Sequence, residues 1–307
     1  MASEIFYSGI GDARLAAALS MDMQLIIADR FSLYGHPAIM YAGDAAASGS
    51  TAIKVPIPSL NGVNRFAAVA ENASVANTAL TLTSVTVTIA RQALQRSASD
   101  LANLTDSVGL NNAALVTDMV GGAYMRFTEQ MCNILDDFTA TVGTTTVDMS
   151  VDDWFSADFT LTQASVPKMG RLGVLYPVQL TDLQNSVRAE SGAFQYRSDV
   201  QGFLAAGGPG VIGSLLGNDI AASSLVPTAN AGADSAGALF GPGAVVYADG
   251  TPAPIRGGSE VVFPAGTKIY VEIARDPSGA LTNITGNYMV GVSILQQAAG
   301  VSIITDR

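Results

Sequence analysis

The 307 residues are 49% apolar and only 13% charged, against about 25% charged in an ordinary soluble domain, so much of the exterior is expected to be hidden against other protein. A formal net charge of −11 excludes the basic footprint that dominates nucleic-acid affinity, although an acidic wall could enclose nucleic acid without gripping it. With one cysteine (Cys132) and one histidine (His36), an intrachain disulfide framework and a Cys/His zinc site are ruled out, and a Ser/His/Asp or Cys/His triad has little to draw on.

Residues 1–50 contain one amphipathic helix, Asp12 to Phe31, with Leu15, Leu19, Met23 and Ile26 along one side. The small, polar "YAGDAAASGS" that follows reads as a linker. The first apolar run, Leu15 to Leu19, comes after Glu4 and Asp12 and lacks the basic lead of a secretory signal. "TAIKVPI" alternates through Ile53, Val55 and Ile57, and Pro56 and Pro58 mark it as an edge strand. Its return, "ALTLTSVTVTIAR", slips phase between Leu82 and Val85, which predicts a bulge near Thr83–Ser84. The run between them is small and polar, so the hairpin is expected to lean on another molecule or stay mobile.

A short helix is predicted from Ala98 to Val108, behind Ser97. The strongest helical signal runs from Asn112 to Phe138, where Leu115, Met119, Ala123, Phe127 and Met131 recur every four residues. At ~1.5 Å per residue it would be roughly 40 Å long, the spine of a thin domain. Ser150 with Asp153 three positions on predicts a capped short helix.

"GVLYPVQLTDLQNSV" then changes character in its middle. A strand from Gly173 to Tyr176 meets Pro177, which suits the first turn of a helix, and Leu180, Leu183 and Val187 form that helix's apolar face. Its polar side carries Asp182 and Gln184.

From Ala189 to Pro264 the chain is rich in Gly, Ala and Pro, with a short strand at Gly243 to Tyr247. "TKIYVEIAR" alternates through Ile269, Val271 and Ile273, and "NYMVGVSIL" and "GVSIITD" read as closing strands. The uncharged span from Pro277 to Thr305 has a strand period and is a poor membrane helix. There is no repeat of solenoid or propeller period.

Residues with chemical potential have plainer explanations. "GPGVIG" (Gly208, Gly210, Gly213) matches a dinucleotide fingerprint, but "FLAAG" before it is a poor strand, and Gly217 and Pro227 interrupt any helix after it. His36, between Gly35 and Pro37, reads as a turn residue, and Cys132 as a small core hydrophobe. Asp148, Asp152 and Asp153, with Asp136–Asp137 upstream, lack calcium-loop spacing and suit a helix N-terminus. The Asn-X-Ser/Thr matches at Asn72, Asn103 and Asn283 are read as chance without an export signal. No catalytic, cofactor-binding or metal site is assigned.

In this order the parts are an arm, a two-stranded excursion, a short helix, a spine helix, a strand–Pro–helix step, a Gly-rich region and closing strands. That order resembles the major capsid protein of tailed bacteriophages, the α+β Hong Kong 97-type capsid fold. The most specific likeness is "GVLYPVQLTDLQNSV" followed by "ESGAF", with "GVIGSLLGNDIAASSLVP" and "AGALFGPGAVVYADGTP" further on.

The resemblance implies an N-terminal arm at 1–50, an extended β-hairpin loop at 51–92, a peripheral domain at 93–170 with 262–307, and an axial domain at 171–261. It also implies self-assembly of hexamers and pentamers into the icosahedral head shell of a virion, enclosing double-stranded DNA without sequence-specific contacts. No enzymatic activity, cofactor or membrane is implied, and assembly is expected in the bacterial host cytoplasm. Residues 1–50 are short for a fused scaffolding segment, so either a separate scaffolding protein or an already trimmed form is expected, the initial Met favouring the former, with a portal and possible decoration proteins. Family members that cross-link use a loop lysine; here Lys54 lies at the loop's base, so a non-covalent shell is expected.

Three rivals are weighed against it. An encapsulin-like nanocompartment would share the fold. An Asp-based metal-dependent hydrolase would rely on Asp148, Asp152 and Asp153. A Gly/Ala-rich surface adhesin would need an export signal.

Overall fold

The computed structural model describes residues 36–45, 50–57, 68–69, 71, 74–75, 83–99, 110–189, 211–250, 259–262 and 268–307. In chain order the strands are β1 (Ile39–Asp44), β2 (Ala52–Pro56), β3 (Ser84–Thr88), β4 (Ala90–Ser99), β5 (Ala140–Val142), β6 (Leu172–Leu175), β7 (Gly213–Leu215), β8 (Asn218–Ala222), β9 (Thr228–Ala229), β10 (Asp234–Phe240), β11 (Val245–Gly250), β12 (Ser259–Val262), β13 (Lys268–Asp276), β14 (Leu281–Ile294) and β15 (Gly300–Asp306). The helices are α1 (Leu110–Cys132), α2 (Val151–Gln163) and α3 (Pro177–Ala189).

Two sheets carry the fold. The first runs β1-β11-β14-β13-β12, with β4 on β14. The second runs β5-β15-β10-β6-β8-β7, with β9 on β10. Neither is made from one stretch of chain. β1 lies parallel to β11, pairing Ile39 with Val245, and β5 lies parallel to β15, pairing Val301 with Ala140.

β14 organises the first sheet because its 14 residues offer two edges: β4 follows it from Leu281 to Val290, while β13 and then β11 occupy the other side. α1 lies over this sheet and buries Met119, Phe127, Met131 and Cys132. Phe127 meets Tyr247 of β11 and Tyr288 of β14 edge-on, with ring centroids 6.3 and 6.4 Å apart, a favoured aromatic geometry.

In the second sheet, β15 sits between β5 and β10 and buries Val301 and Ile303. α2 covers it through Trp154 and Leu161, both fully buried. Gly173 of β6 faces the Trp154 indole, and a Cβ there would fall on ring atoms Cη2 and Cζ3. Only glycine leaves the indole its place.

Several expectations need correction. α1 ends at Cys132 rather than Phe138: Leu135 N–H bonds to Cys132 O and Asp137 N–H to Ile134 O, which are turn contacts. Leu135 and Phe138 are nonetheless buried, so the apolar period continued through residues that had left the helix. The helix expected from Ala98 starts inside a strand, since β4 runs to Ser99; residues 100–109 lie outside the described residues.

β1 was not foreseen, β4 was foreseen only in its first two residues, Ala90 and Arg91, and β11 starts at Val245 and runs past Tyr247 to Gly250. The β2–β3 hairpin has the expected antiparallel register, Val55 opposite Val85. Its base, however, leans on its own chain, where Val55, Val87 and Ile89 pack with Val246, Ala248 and Leu295.

The expected helix Asp12–Phe31, residues 79–82 of the expected bulged strand, Asn72, Asn103, Gly208 and Gly210 lie outside the described residues. Among the described residues no helix is long and apolar enough to cross a membrane.

Gly173→Ala should lower stability by about 1–3 kcal/mol, the usual cost of overpacking a filled core. A fall in the subunit's calorimetric melting temperature would register it.

Candidate functional site

The strand–Pro–helix step is a joint. β6 ends at Leu175 and α3 begins at Pro177. Gln179, fully buried, reaches back so that its Oε1 accepts the Tyr176 N–H at 3.0 Å. Its Nε2 donates to Ser235 O (3.0 Å), Ile303 O (3.1 Å) and Thr305 Oγ1 (2.8 Å). One side chain thereby ties α3 to β10 and β15. The sequence reading gave the buried face to Leu180, Leu183 and Val187; Leu183 and Val187 are buried, Leu180 is half-buried and Gln179 takes its place. No spacing rule announces a buried glutamine on an apolar face, although its distance of three residues from Tyr176 is that of a capping partner.

A second buried group precedes this joint. Arg171, 1% exposed, spends its guanidinium on α2 and on the loop that follows it. Nη1 donates to Asp158 Oδ1 at 2.6 Å and to Asp158 O and Thr162 Oγ1 at 3.2 Å, Nη2 to Val166 O at 2.6 Å, and Nε to Pro167 O at 3.0 Å. Asp158 also accepts from Asn218 Nδ2 at 2.9 Å and lies 3.4 Å from Lys168 Nζ. The ion pair therefore links α2, the loop, β6 and β8.

Two of the residues weighed for catalysis, Asp153 and His36, are occupied in the same manner. Ser150 and Asp153 form the expected capping box at the start of α2: Asp153 N–H bonds to Ser150 Oγ at 3.2 Å, and Asp153 Oδ2 accepts the Ser150 N–H at 2.9 Å. Asp148 and Asp152 do not converge with it, and no three His, Cys, Asp or Glu among the described residues gather around a cation position.

His36 stands in a turn, as expected, and it has a carboxylate partner that the sequence could not reveal. Nδ1 accepts the Ala38 N–H at 3.2 Å, so Nε2 is the donor to Asp219 Oδ2 at 2.9 Å. Burial pushes the Cys132 thiol up to about 12, which keeps it an unreactive hydrophobe. Gly213 opens β7, and strand β8 follows it rather than a phosphate-binding helix. Asn283 lies in β14, where its Oδ1 accepts from Ser97 Oγ at 2.7 Å.

At one end of the second sheet the charges are unbalanced. Asp182 on α3 has its carboxyl held above the usual carboxylate range, first by burial and then by Asp148 and Asp306. Asp306 pairs with Asp234 across β15 and β10, and its N–H bonds to Val147 O at 2.9 Å. Nearby Arg307 lies over the Tyr176 ring, 5.0 Å from the centroid.

What remains for function is surface. Phe159 on α2 is 62% exposed and Met169 89% exposed, and Met125 on α1 is also exposed. Beneath α1 is an open cavity of about 260 Å³, with Leu94, Met119, Ala123 and Ile269 in its wall and Arg126 at its side.

No family model matches the chain, and no curated protein does. Solved structures match over nearly its whole length. The capsid of Ralstonia phage GP4 is 15% identical and covers 88% of this chain and 87% of its own, with a TM-score of 0.62. The capsid of the cyanophage P-SCSP1u is 13% identical, with coverages of 88% and 86% and a TM-score of 0.56. A structure of Mycobacterium phage Che8 is 19% identical, with coverages of 85% and 86% and a TM-score of 0.56. The α+β Hong Kong 97-type capsid fold expected from the order of parts is the fold of this chain.

Two substitutions probe the joints. Arg171→Met strands the Asp158 carboxylate in the interior and should cost about 3–5 kcal/mol, as broken buried pairs do; denaturant unfolding measures it. For Asp182 the folded protein holds the proton more tightly than the unfolded chain. Its contribution is therefore fully present below the unfolded carboxylate range and is lost as pH rises through the folded value. Asp182→Asn should raise the melting temperature at neutral pH, and that gain should fade as both proteins are acidified.

Proposed function

We propose that this chain is the major capsid protein of a tailed bacteriophage, assembling as hexamers and pentamers into an icosahedral head shell around double-stranded DNA. The observation that carries this is the fold itself, matched over 85–88% of the chain to structures that include two phage capsids. Composition supports it: a chain with 13% charged residues suits a subunit whose exterior is mostly covered by its copies. Many modest contacts closing on one another give a durable assembly. The net charge of −11 would leave packaged DNA unbound to the wall.

In such a shell residues 1–50 form the arm, 51–92 the extended loop, 93–170 with 262–307 the peripheral domain and 171–261 the axial domain. These names describe which neighbours a segment meets, whereas the sheets cross them: β11 joins β1 and β14, and β15 joins β5 and β10. The role is structural rather than enzymatic, in keeping with Asp153, Asp158, Arg171 and His36 being engaged in holding the fold. A separate scaffolding protein, a portal and decoration proteins complete the set of partners. The particle forms in the host cytoplasm and the chain ends in the virion.

Negative-stain electron microscopy of the purified chain, with scaffold supplied, should show closed shells that shield DNA from nuclease when taken from infected cells. On denaturing gels it should run as a single band near 31.5 kDa, because Lys54 in β2 stands at the base of the hairpin. A uniform monomer under assembly conditions would refute the shell, a protected cargo enzyme in place of DNA would mark a nanocompartment, and a ladder of linked subunits would refute non-covalent closure.

A further inference from the structure

The cavity beneath α1 is bounded by Leu94 of β4, Met119 and Ala123 of α1 and Ile269 of β13. It stays open because Gly122 and Gly286 also line it: a Cβ on Gly122 would come within 3.1 Å of Leu94 Cδ2, and one on Gly286 within 2.8 Å of Met119 Cε. An apolar hollow of about 260 Å³ forfeits the dispersion contacts of its lining and offers water few partners. Its natural occupant is another apolar group.

One cation stands at its edge. Arg126 is exposed on α1, with Nε on Gln92 Oε1 at 3.3 Å and Nη1 on Glu129 Oε2 at 2.8 Å. Among the described residues Nη2 has no acceptor. The hollow therefore suits an apolar side chain with a carboxylate near it.

The chain itself displays that combination. Phe159 is 62% exposed on α2. Asp152 lies seven residues earlier on the same helix face, about 10 Å along the axis, exposed and without an ion pair or hydrogen bond among the described residues. The other prominent candidates fit less well. Met169 follows Lys168, itself 55% exposed, which would set like charge against Arg126, and the Tyr41 hydroxyl already donates to Asp249 at 2.6 Å.

We propose that the hollow under α1 receives Phe159 from α2 of a second copy, with that copy's Asp152 set against Arg126. Knob and hole lie on different elements of the subunit, so the contact can be made reciprocally across a two-fold axis or head-to-tail, and repeated head-to-tail through a closing rotation it gives a ring. This contact rests on the shell reading above and gives it one specific seam.

The test is the protein concentration at which shells first form, followed by light scattering and electron microscopy. Phe159→Ala should raise that threshold about tenfold or more, the worth of a buried aromatic contact, while leaving the melting temperature of the unassembled subunit unchanged. Asp152→Arg and Arg126→Asp should each raise it too, and the double variant should bring it back toward the wild-type value. Assembly of Phe159→Ala at the wild-type threshold, or a double charge variant no better than the single ones, would overturn the contact while leaving the shell reading standing. If the wild-type chain forms no closed particle, the shell reading falls and this contact falls with it.

Discussion

The buried guanidinium of Arg171 is the constraint on which the rest of the chain's route depends. A charge taken out of water is tolerable only when it is paired and all its donors are used. Here Nε, Nη1 and Nη2 all find oxygens within residues 158–167. The path from α2 to β6 is thereby closed into one shape. Backbone bonds continue from that point: Asp219 N–H bonds to Arg171 O at 3.0 Å, which starts the parallel pairing of β6 with β8. Everything that follows, from Pro177 to the seating of α3, inherits its position from this turn.

A second consequence concerns how the subunit holds together. β1 must find β11 some 200 residues away in sequence, and β5 must find β15 across a comparable gap. Parallel pairs of this kind need long crossovers, and such non-local pairings delay the reward for loop closure. The two sheets each draw strands from distant parts of the described chain, and most of their buried side chains pack together. The buried cluster reflects that: Phe127, Trp154, Leu172, Tyr247 and Val301 belong to one continuous core. A subunit built this way transmits load through packed side chains rather than through a hinge between modules.

Much of this was legible where local and tertiary demands agree. "GVSIITD" became β15 to the residue because its burial, Val301 and Ile303 inward, needs no partner to be recognised. The capping box of α2 and the step at Pro177 were readable for the same reason, being local hydrogen-bond chemistry. β4 was not readable past Arg91. "ARQALQRSAS" is rich in helix formers, and it becomes a strand only because β14 offers it ten consecutive partners. β1 fails similarly: "IMYAGD" ends in turn-like residues and is extended by the edge of β11. The end of α1 was overrun because Leu135 and Phe138 go on pointing into the core after the helix has stopped. Period reports burial, and burial outlasts the element.

The same distinction explains why the candidate site looked empty of chemistry. His36, Asp153, Asp158, Arg171 and Gln179 are all residues that could act on a substrate, and each is engaged with a backbone or side-chain group of this chain. Polar groups consumed inside the fold are not available outside it, in a chain that has few charges to begin with. In the proposed shell the exterior then binds its neighbours through shape and apolar knobs, with single charges fixing orientation rather than supplying affinity. The Gln179 amide shows the exchange most plainly: in a pocket it would recognise a ligand, whereas here Ser235, Ile303 and Thr305 are its ligands. The corner at Pro177 thus holds α3 at a fixed angle, which the proposed lattice of identical subunits would require of every copy.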